Sequence, residues 1–321
     1  MAQEIPANLD DLPYGFPQAQ PNLELLGPLP KNVKRRICAL KKVQLASIDV
    51  EAKFYERVHA LELEFEALFK PIYEQRRQIV TGEKEPSDAE ADLPLLHDTD
   101  KEVVDKLYEA SEADNGEKGV KDFWLNVLKA HDLTSDLIQE HDTPILSYLT
   151  DITTSSKIEP PSFDIKFHFA ENPYFKNKVL SKEYFLEICP EDDSKFDFDG
   201  PNVTRVSGDK IEWEDGKNVT KKSVKKKQKK GANAGKFMTK TVKADSFFNF
   251  FDPPKSADER NEDDDDEDHE ELLQVDYEIG QALRDSLIPR AVLFYTGEIQ
   301  SEDMYGFPGE DEEFSDDEDD E

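Results

Sequence analysis

The side chains with the most chemistry to offer are carboxylates, and their abundance decides what that chemistry can be. The 321 residues hold 73 Asp and Glu against 40 Lys and Arg, a formal net charge of −33. With acids this dense, no single pair marks general acid–base catalysis. A massed carboxylate surface instead attracts polycations and repels nucleic acids and anionic membranes. The density peaks twice. Residues 262–271 (EDDDDEDHEE) place nine acids in ten positions, and 310–321 (EDEEFSDDEDDE) place ten in twelve. Residues 301–321 carry 12 acids and no base, so the first 300 residues still hold −21 and the body is acidic in its own right. Ser315 stands directly before Asp316, Asp317 and Glu318, the context acid-directed kinases prefer. A phosphate there would add about −1.5 to −2 charge.

Other motifs fail on spacing. Gly231 to Lys236 (GANAGK) resembles a phosphate loop, but only three residues separate its glycines and Phe237 stands where Ser or Thr would hold magnesium. Asp197-Phe198-Asp199-Gly200 resembles a calcium loop, yet Lys195 and Val206 occupy the positions that need acids. The six histidines show no HExxH spacing, two cysteines cannot build a zinc cluster, and no GxSxG elbow occurs. No metal, cofactor or enzyme activity is expected. Cys38 and Cys189 are far apart, so a reducing compartment is the default. The first residues lack a basic stretch followed by an apolar core, so no signal peptide is expected. No apolar run is long enough to span a membrane.

Residues 221–230 (KKSVKKKQKK) are the anomaly, seven Lys in an acidic chain. They fit a nuclear-import signal on a hairpin, a nucleic-acid contact, or an internal partner for the acid runs.

Elements must carry these charges. Residues 1–28 are Pro-rich and polar and read as a flexible arm. After Pro30, apolar positions at Val33, Ile37, Leu40, Leu45, Ile48, Ala52, Tyr55, Val58, Leu61, Phe65, Leu68 and Ile72 step by threes and fours, which predicts a helix of roughly forty residues. The five-residue step from Leu40 to Leu45 predicts a local irregularity, and Pro71 should bend or end the helix. So long a stripe needs a partner along its length. It either crosses its own domain or pairs antiparallel with a second copy; no other helix of similar length is predicted. Helices are expected near 100–112 (with a Thr99–Glu102 capping box), 120–131 and 134–149, strands at 150–157, 162–170, 180–188, 202–206, 210–213 and 237–243, and helix again at 246–251 and 270–287, stopped by Pro289.

In this order the segments resemble the nucleosome assembly protein family. The resemblance rests on LPKNVKRRICALKKVQ (29–44), KPIYEQRRQIVTGE (70–83), FWLNVLKAHD (123–132), HDTPILSYLTDI (141–152), NPYFKNKVLSKEYF (172–185), WEDGKNVTKKSVKKKQKK (213–230), SFFNFFDPP (246–254) and DYEIGQALRDSLIPRAVLFYTGE (276–298). It implies an α+β fold: a long dimerisation helix, then an antiparallel β-sheet covered by helices, with an acidic disordered tail. The corresponding divisions are an arm at 1–28, the helix at 29–79, a body at 80–300 with a Lys-rich hairpin near 214–243, and a tail at 301–321.

The same resemblance implies a non-enzymatic histone chaperone that binds core histones, aids nucleosome assembly and exchange without ATP, and shuttles between cytoplasm and nucleus. The expected histone-binding acids are Glu140, Asp142, Asp192, Asp193, Asp245, Glu262, Asp263, Asp264, Asp265, Asp266, Glu267, Asp268, Glu270, Glu271, Asp316, Asp317 and Glu318. Homodimerisation falls to Leu40, Leu45, Ile48, Ala52, Tyr55, Val58, Leu61, Phe65 and Leu68. Contact with an import receptor falls to Lys221, Lys222, Lys225, Lys226, Lys227, Lys229 and Lys230. No membrane and no sequence-specific nucleic acid is expected as a partner. The alternative is an acidic phosphatase inhibitor or scaffold of a related branch with the same fold; that branch lacks a comparable Lys-rich hairpin.

Overall fold

The computed structural model describes residues 22–109, 116–190, 195–227, 237–254 and 266–299. Two compact units divide the chain, residues 1–54 with 190–199 and residues 55–189 with 200–321.

A single turn, α1 (Leu23–Leu26), is capped by the Asn22 side chain. It leads into α2 (Lys31–Val80), a helix of 50 residues. At about 1.5 Å per residue it is about 75 Å long. α2 is continuous at both places that the sequence marks. Pro71 lies inside it without ending it, and the helix runs on to Val80. Proline removes one backbone donor, but the turns that follow are anchored. Arg77 donates to both Glu74 and Glu83, and the Arg76 guanidinium sits 4.6 Å from the Tyr73 ring and 4.9 Å from that of Trp124. The step from Leu40 to Leu45 causes no break either. It marks where the stripe changes face.

The apolar positions of α2 in fact form two stripes. Ile48 and Ala52 are buried within the single chain, and Leu45, Tyr55 and Val58 are half-buried. Leu40, Val43, Val50, Leu61, Phe65, Leu68 and Ile72 are all exposed, Leu40 by 64% and Leu68 by 63%. Reading one face merged the two and missed Val43 and Val50.

The second unit is built on a four-stranded antiparallel meander. Its strands are β1 (Leu149–Lys157), β2 (Ser162–Phe169), β3 (Val179–Glu187) and β4 (Asn202–Gly208), in the order β1-β2-β3-β4. Period-two alternation gives the sheet two faces. Ile152, Phe163, Ile165, Phe167, Leu180, Tyr184 and Val206 enter the core. There they meet helix α4 (Phe123–Lys129), a 3-10 turn at Phe247–Phe251, α7 (Asp266–Gln281) and α8 (Ala291–Thr296). Four phenylalanines of the 3-10 turn are buried, and three of them pack around Phe167 at centroid distances of 5.2–5.9 Å. Each fully buried Phe contributes about 1.5–3 kcal/mol.

The opposite face of the sheet is polar. Lys166 donates to both oxygens of Asp164 at 2.7 and 2.8 Å, Ser155 donates to Asp164 at 2.7 Å, and Lys157 donates to Glu183 at 2.6 Å. The C-terminal half of α2 lies along β1. His59 Nε2 donates to the Lys157 carbonyl at 2.8 Å, and Ser156 N donates to Glu66 Oε2 at 2.8 Å.

Other elements differ in detail from the expectations. α3 spans Lys101–Glu109, and the Thr99 hydroxyl before it bonds to the His97 carbonyl. The helix expected at 134–149 is only two single turns, α5 (Asp132–Ser135) and α6 (Thr143–Leu146), because the chain turns between them on the side chain of Asp142. Residues 210–213 form no strand; Trp213 makes one isolated bridge to Phe175. After α7 comes a π-helical turn, Ala282–Leu287.

Candidate functional site

Two loops of the second unit meet around one buried carboxylate. The loop before α6 carries Glu140, His141 and Asp142, and the segment entering the 3-10 turn carries Asp245 and Ser246. Asp142 Oδ1 accepts from Ser246 Oγ at 2.6 Å. Its Oδ2 accepts from Phe247 N at 2.7 Å and Gln139 N at 3.0 Å. Hydrogen bonds to an ionised acceptor are roughly twice as strong as neutral ones. His141 Nε2 adds a bond to the Asp245 carbonyl at 3.1 Å. The Ser246 hydroxyl also accepts from Phe248 N at 3.2 Å and so caps the Phe-rich turn.

The geometry sorts the expected acids. Glu140 and Asp245 are exposed on the two clamped loops. Asp142 is a correction: it is fully buried, and both its oxygens are occupied by donors of its own chain. It positions Glu140 and Asp245 rather than offering a carboxylate outward. Ser246 and His141 complete the clamp and were missed, because nothing in a sequence pairs residues a hundred positions apart.

The Lys-rich segment springs from the same place. β5 (Lys221–Lys227) pairs antiparallel with β6 (Phe237–Lys243), setting Lys221 opposite Lys243 and Lys227 opposite Phe237. This two-stranded ribbon stands apart from the main sheet. Its base closes with Ala244 N donating to the Thr220 carbonyl at 2.9 Å, and Asp245 is the next residue. Lys221 and Lys222 are exposed, and Lys225, Lys226 and Lys227 lie on β5. Lys229 and Lys230 lie outside the described residues.

A third carrier of acids is α7. Asp266, Glu267, Asp268 and Glu270 occupy its first turns, and Glu271, the next residue, is exposed. Acids at a helix N-terminus complement its dipole. The helix is fixed to the sheet at its other half. Lys182 of β3, with no exposed surface, pairs with Asp276 and lies 3.8 Å from the Phe250 ring centroid. Tyr184 OH donates to the Asp276 carbonyl at 3.1 Å. Burial pushes Lys182 down to about 8 and Asp276 up; their attraction only partly offsets this. Asp192, Asp193, Glu262, Asp263, Asp264, Asp265, Ser315, Asp316, Asp317 and Glu318 lie outside the described residues, as does GANAGK (231–236). Among the described residues no group of His, Cys, Asp and Glu could hold a metal, and no helix is long and apolar enough to cross a membrane.

A 50-residue helix, an antiparallel meander with helices on one face, and acids mounted on clamped loops define an acidic α+β protein of helix-plus-sheet architecture. Residues 35–298 match the family model described as Nucleosome assembly protein (NAP), and the chain belongs to that family. It is 44% identical over 286 residues to Nucleosome assembly protein 1-like 1 of Xenopus tropicalis, covering 86% of this chain and 72% of that relative. It is 42% identical to the human Nucleosome assembly protein 1-like 4, covering 86% and 76%. Among solved structures, Nucleosome Assembly Protein 1 from Plasmodium knowlesi is similar with a TM-score of 0.51 and 27% identity, covering 84% of this chain and 99% of that one.

Proposed function

We propose that this protein is a histone chaperone that works by ranked affinity rather than by chemistry. Its acids cover part of the basic surface of core histones and so suppress non-specific histone–DNA contacts. Properly wrapped DNA, which offers more phosphate contacts, then displaces it. No ATP and no catalytic group enters this scheme. The supporting observation is the pair of exposed acids, Glu140 and Asp245, held on two loops by the buried Asp142, together with an anchored α7 on which Glu271 is also exposed. Family membership and the names of the relatives favour nucleosome assembly as the setting.

Within this reading two copies associate through the exposed stripe of α2, antiparallel, with Leu40, Leu61, Phe65 and Leu68 in the contact. Ile48 and Ala52 serve the chain's own packing. The Lys-rich ribbon engages an import receptor, so the protein and its cargo move between cytoplasm and nucleus. The test is retention of purified core histones on the immobilised protein at moderate salt, followed by a salt titration. Retention that weakens with salt is expected, because charge interactions are screened over about 8 Å at physiological ionic strength. No retention at moderate salt overturns the proposal.

A further inference from the structure

Helix α7 changes character along its length. Its C-terminal half is seated on the sheet. Tyr277 and Ile279 are buried, Tyr184 OH donates to the Asp276 carbonyl at 3.1 Å, and a Cβ on Gly280 would meet Tyr184 Cζ at 2.5 Å. Further toward the N-terminus the cover ends. Leu272 is 59% exposed and Val275 50%. Residues three and four apart share a helix face, so Leu272, Val275 and Ile279 stand in one row. That row is buried at Ile279 and open at Val275 and Leu272. Glu271, four residues before Val275, and Glu278, three after it, are exposed and flank the row.

A single exposed Leu on a protein surface means little. Here the electrostatic setting decides what can cover the row. Between Arg260 and Arg284 the sequence has no Lys or Arg, while residues 266–278 hold seven acids. One of these, Asp276, pairs with Lys182 inside the chain. Nucleic acid and anionic lipid are repelled by such a field. The acidic body of a second copy, with the same net charge, is repelled as well. A neutral apolar partner would desolvate Glu271 and Glu278 and return no counter-charge. A segment that sets apolar side chains beside bases meets both demands.

We infer that the open row of α7 docks a basic, part-apolar segment of the histone cargo, with Leu272 and Val275 in apolar contact and Glu271 and Glu278 pairing with bases at its rim. The inference rests on the histone-binding reading and adds selectivity to it. Charge alone holds any polycation. The row favours one that carries apolar side chains among its bases. Screening by salt weakens the charge pairs and leaves apolar contact in place, so the row also supplies affinity that persists at high salt.

The test compares core histones with polylysine as ligands of the full chain. Leu272→Gln with Val275→Gln removes the row at exposed positions, and circular dichroism verifies the fold. If that pair unfolds the chain, Leu272→Gln alone carries the same comparison. Core-histone affinity at high salt should fall about tenfold, and polylysine affinity should hold. Glu271→Gln with Glu278→Gln should instead weaken both ligands and flatten both salt slopes. Unchanged core-histone affinity in the Leu272 and Val275 variant overturns the inference. An equal loss for polylysine also overturns it, because the substitutions then act on the acids rather than on an apolar contact. If light scattering without histone finds a smaller assembly in this variant than in the parent, the row joins copies of this chain, and the histone assignment falls. A parent protein that binds no core histone overturns the histone-binding reading itself, which the other outcomes leave standing.

Discussion

Asp142 and Ser246 lie 104 residues apart in the chain and meet at 2.6 Å, hydroxyl to carboxylate, both buried. The contact converts two loops into one rigid ledge that carries Glu140 and Asp245. Asp142→Ala leaves three donors without an acceptor, and it should cost about 3 kcal/mol or more. The melting temperature by calorimetry should fall by several degrees. An unchanged melting temperature would show that the clamp does not hold the loops.

Removing the charges the ledge displays should have the opposite profile. Glu140→Gln with Asp245→Asn should leave stability within about 0.5 kcal/mol. It should weaken core-histone binding and flatten its salt dependence. Equal affinity and salt slope in the two proteins would place the binding acids elsewhere.

The two stripes of α2 separate folding from association. Ile48→Asp puts a charge where the side chain is 4% exposed and should destabilise the chain itself. Leu61→Asp with Leu68→Asp changes positions 52% and 63% exposed. It should leave helicity intact while light scattering reports monomers. Dimers at the same concentration would remove the exposed stripe from the interface.

The Lys182–Asp276 pair allows a test of buried charge. Lys182→Met strands a buried carboxylate and should cost about 3–5 kcal/mol, whereas Lys182→Met with Asp276→Leu should return to within about 1 kcal/mol of the parent. Chemical denaturation measures both. A double variant no better than the single would assign the cost to packing against Phe250 rather than to charge.

His131 predicts the direction of an acid limb. Its ring is 1% exposed, both nitrogens lack partners among the described residues, and burial lowers its pKa. The unfolded chain therefore takes up a proton near pH 6.5 that the folded chain resists, so this group's contribution is lost as pH falls below about 6.5. His131→Leu should flatten the decline in stability between about pH 6.5 and 5. A decline of unchanged steepness would assign it to other groups.

Much of the fold was legible because its signals are local. Alternation of Phe163, Ile165, Phe167 and Phe169 is enough to place β2, and α2 declares itself by its length. The outline of the acidic surface was legible from composition. What escaped depends on tertiary geometry. A one-dimensional stripe cannot tell a face buried by its own chain from one left outside, so Ile48 and Leu61 were grouped together. A carboxylate that looks exposed in a polar loop can be the one the loop folds around, as with Asp142. Gly280 is similar: a Cβ there would approach Tyr184 Cζ to 2.5 Å, a contact between a helix and a strand nearly a hundred residues apart.

The contacts of His59 and Glu66 with β1 have a further consequence. β1 is a terminal strand of the meander, and such a strand presents backbone donors and acceptors that can recruit another chain into a growing sheet. The bonds from His59 to the Lys157 carbonyl and from Ser156 N to Glu66 occupy that rim at its outer end. The long helix thus also covers part of a rim at which an added strand could otherwise pair.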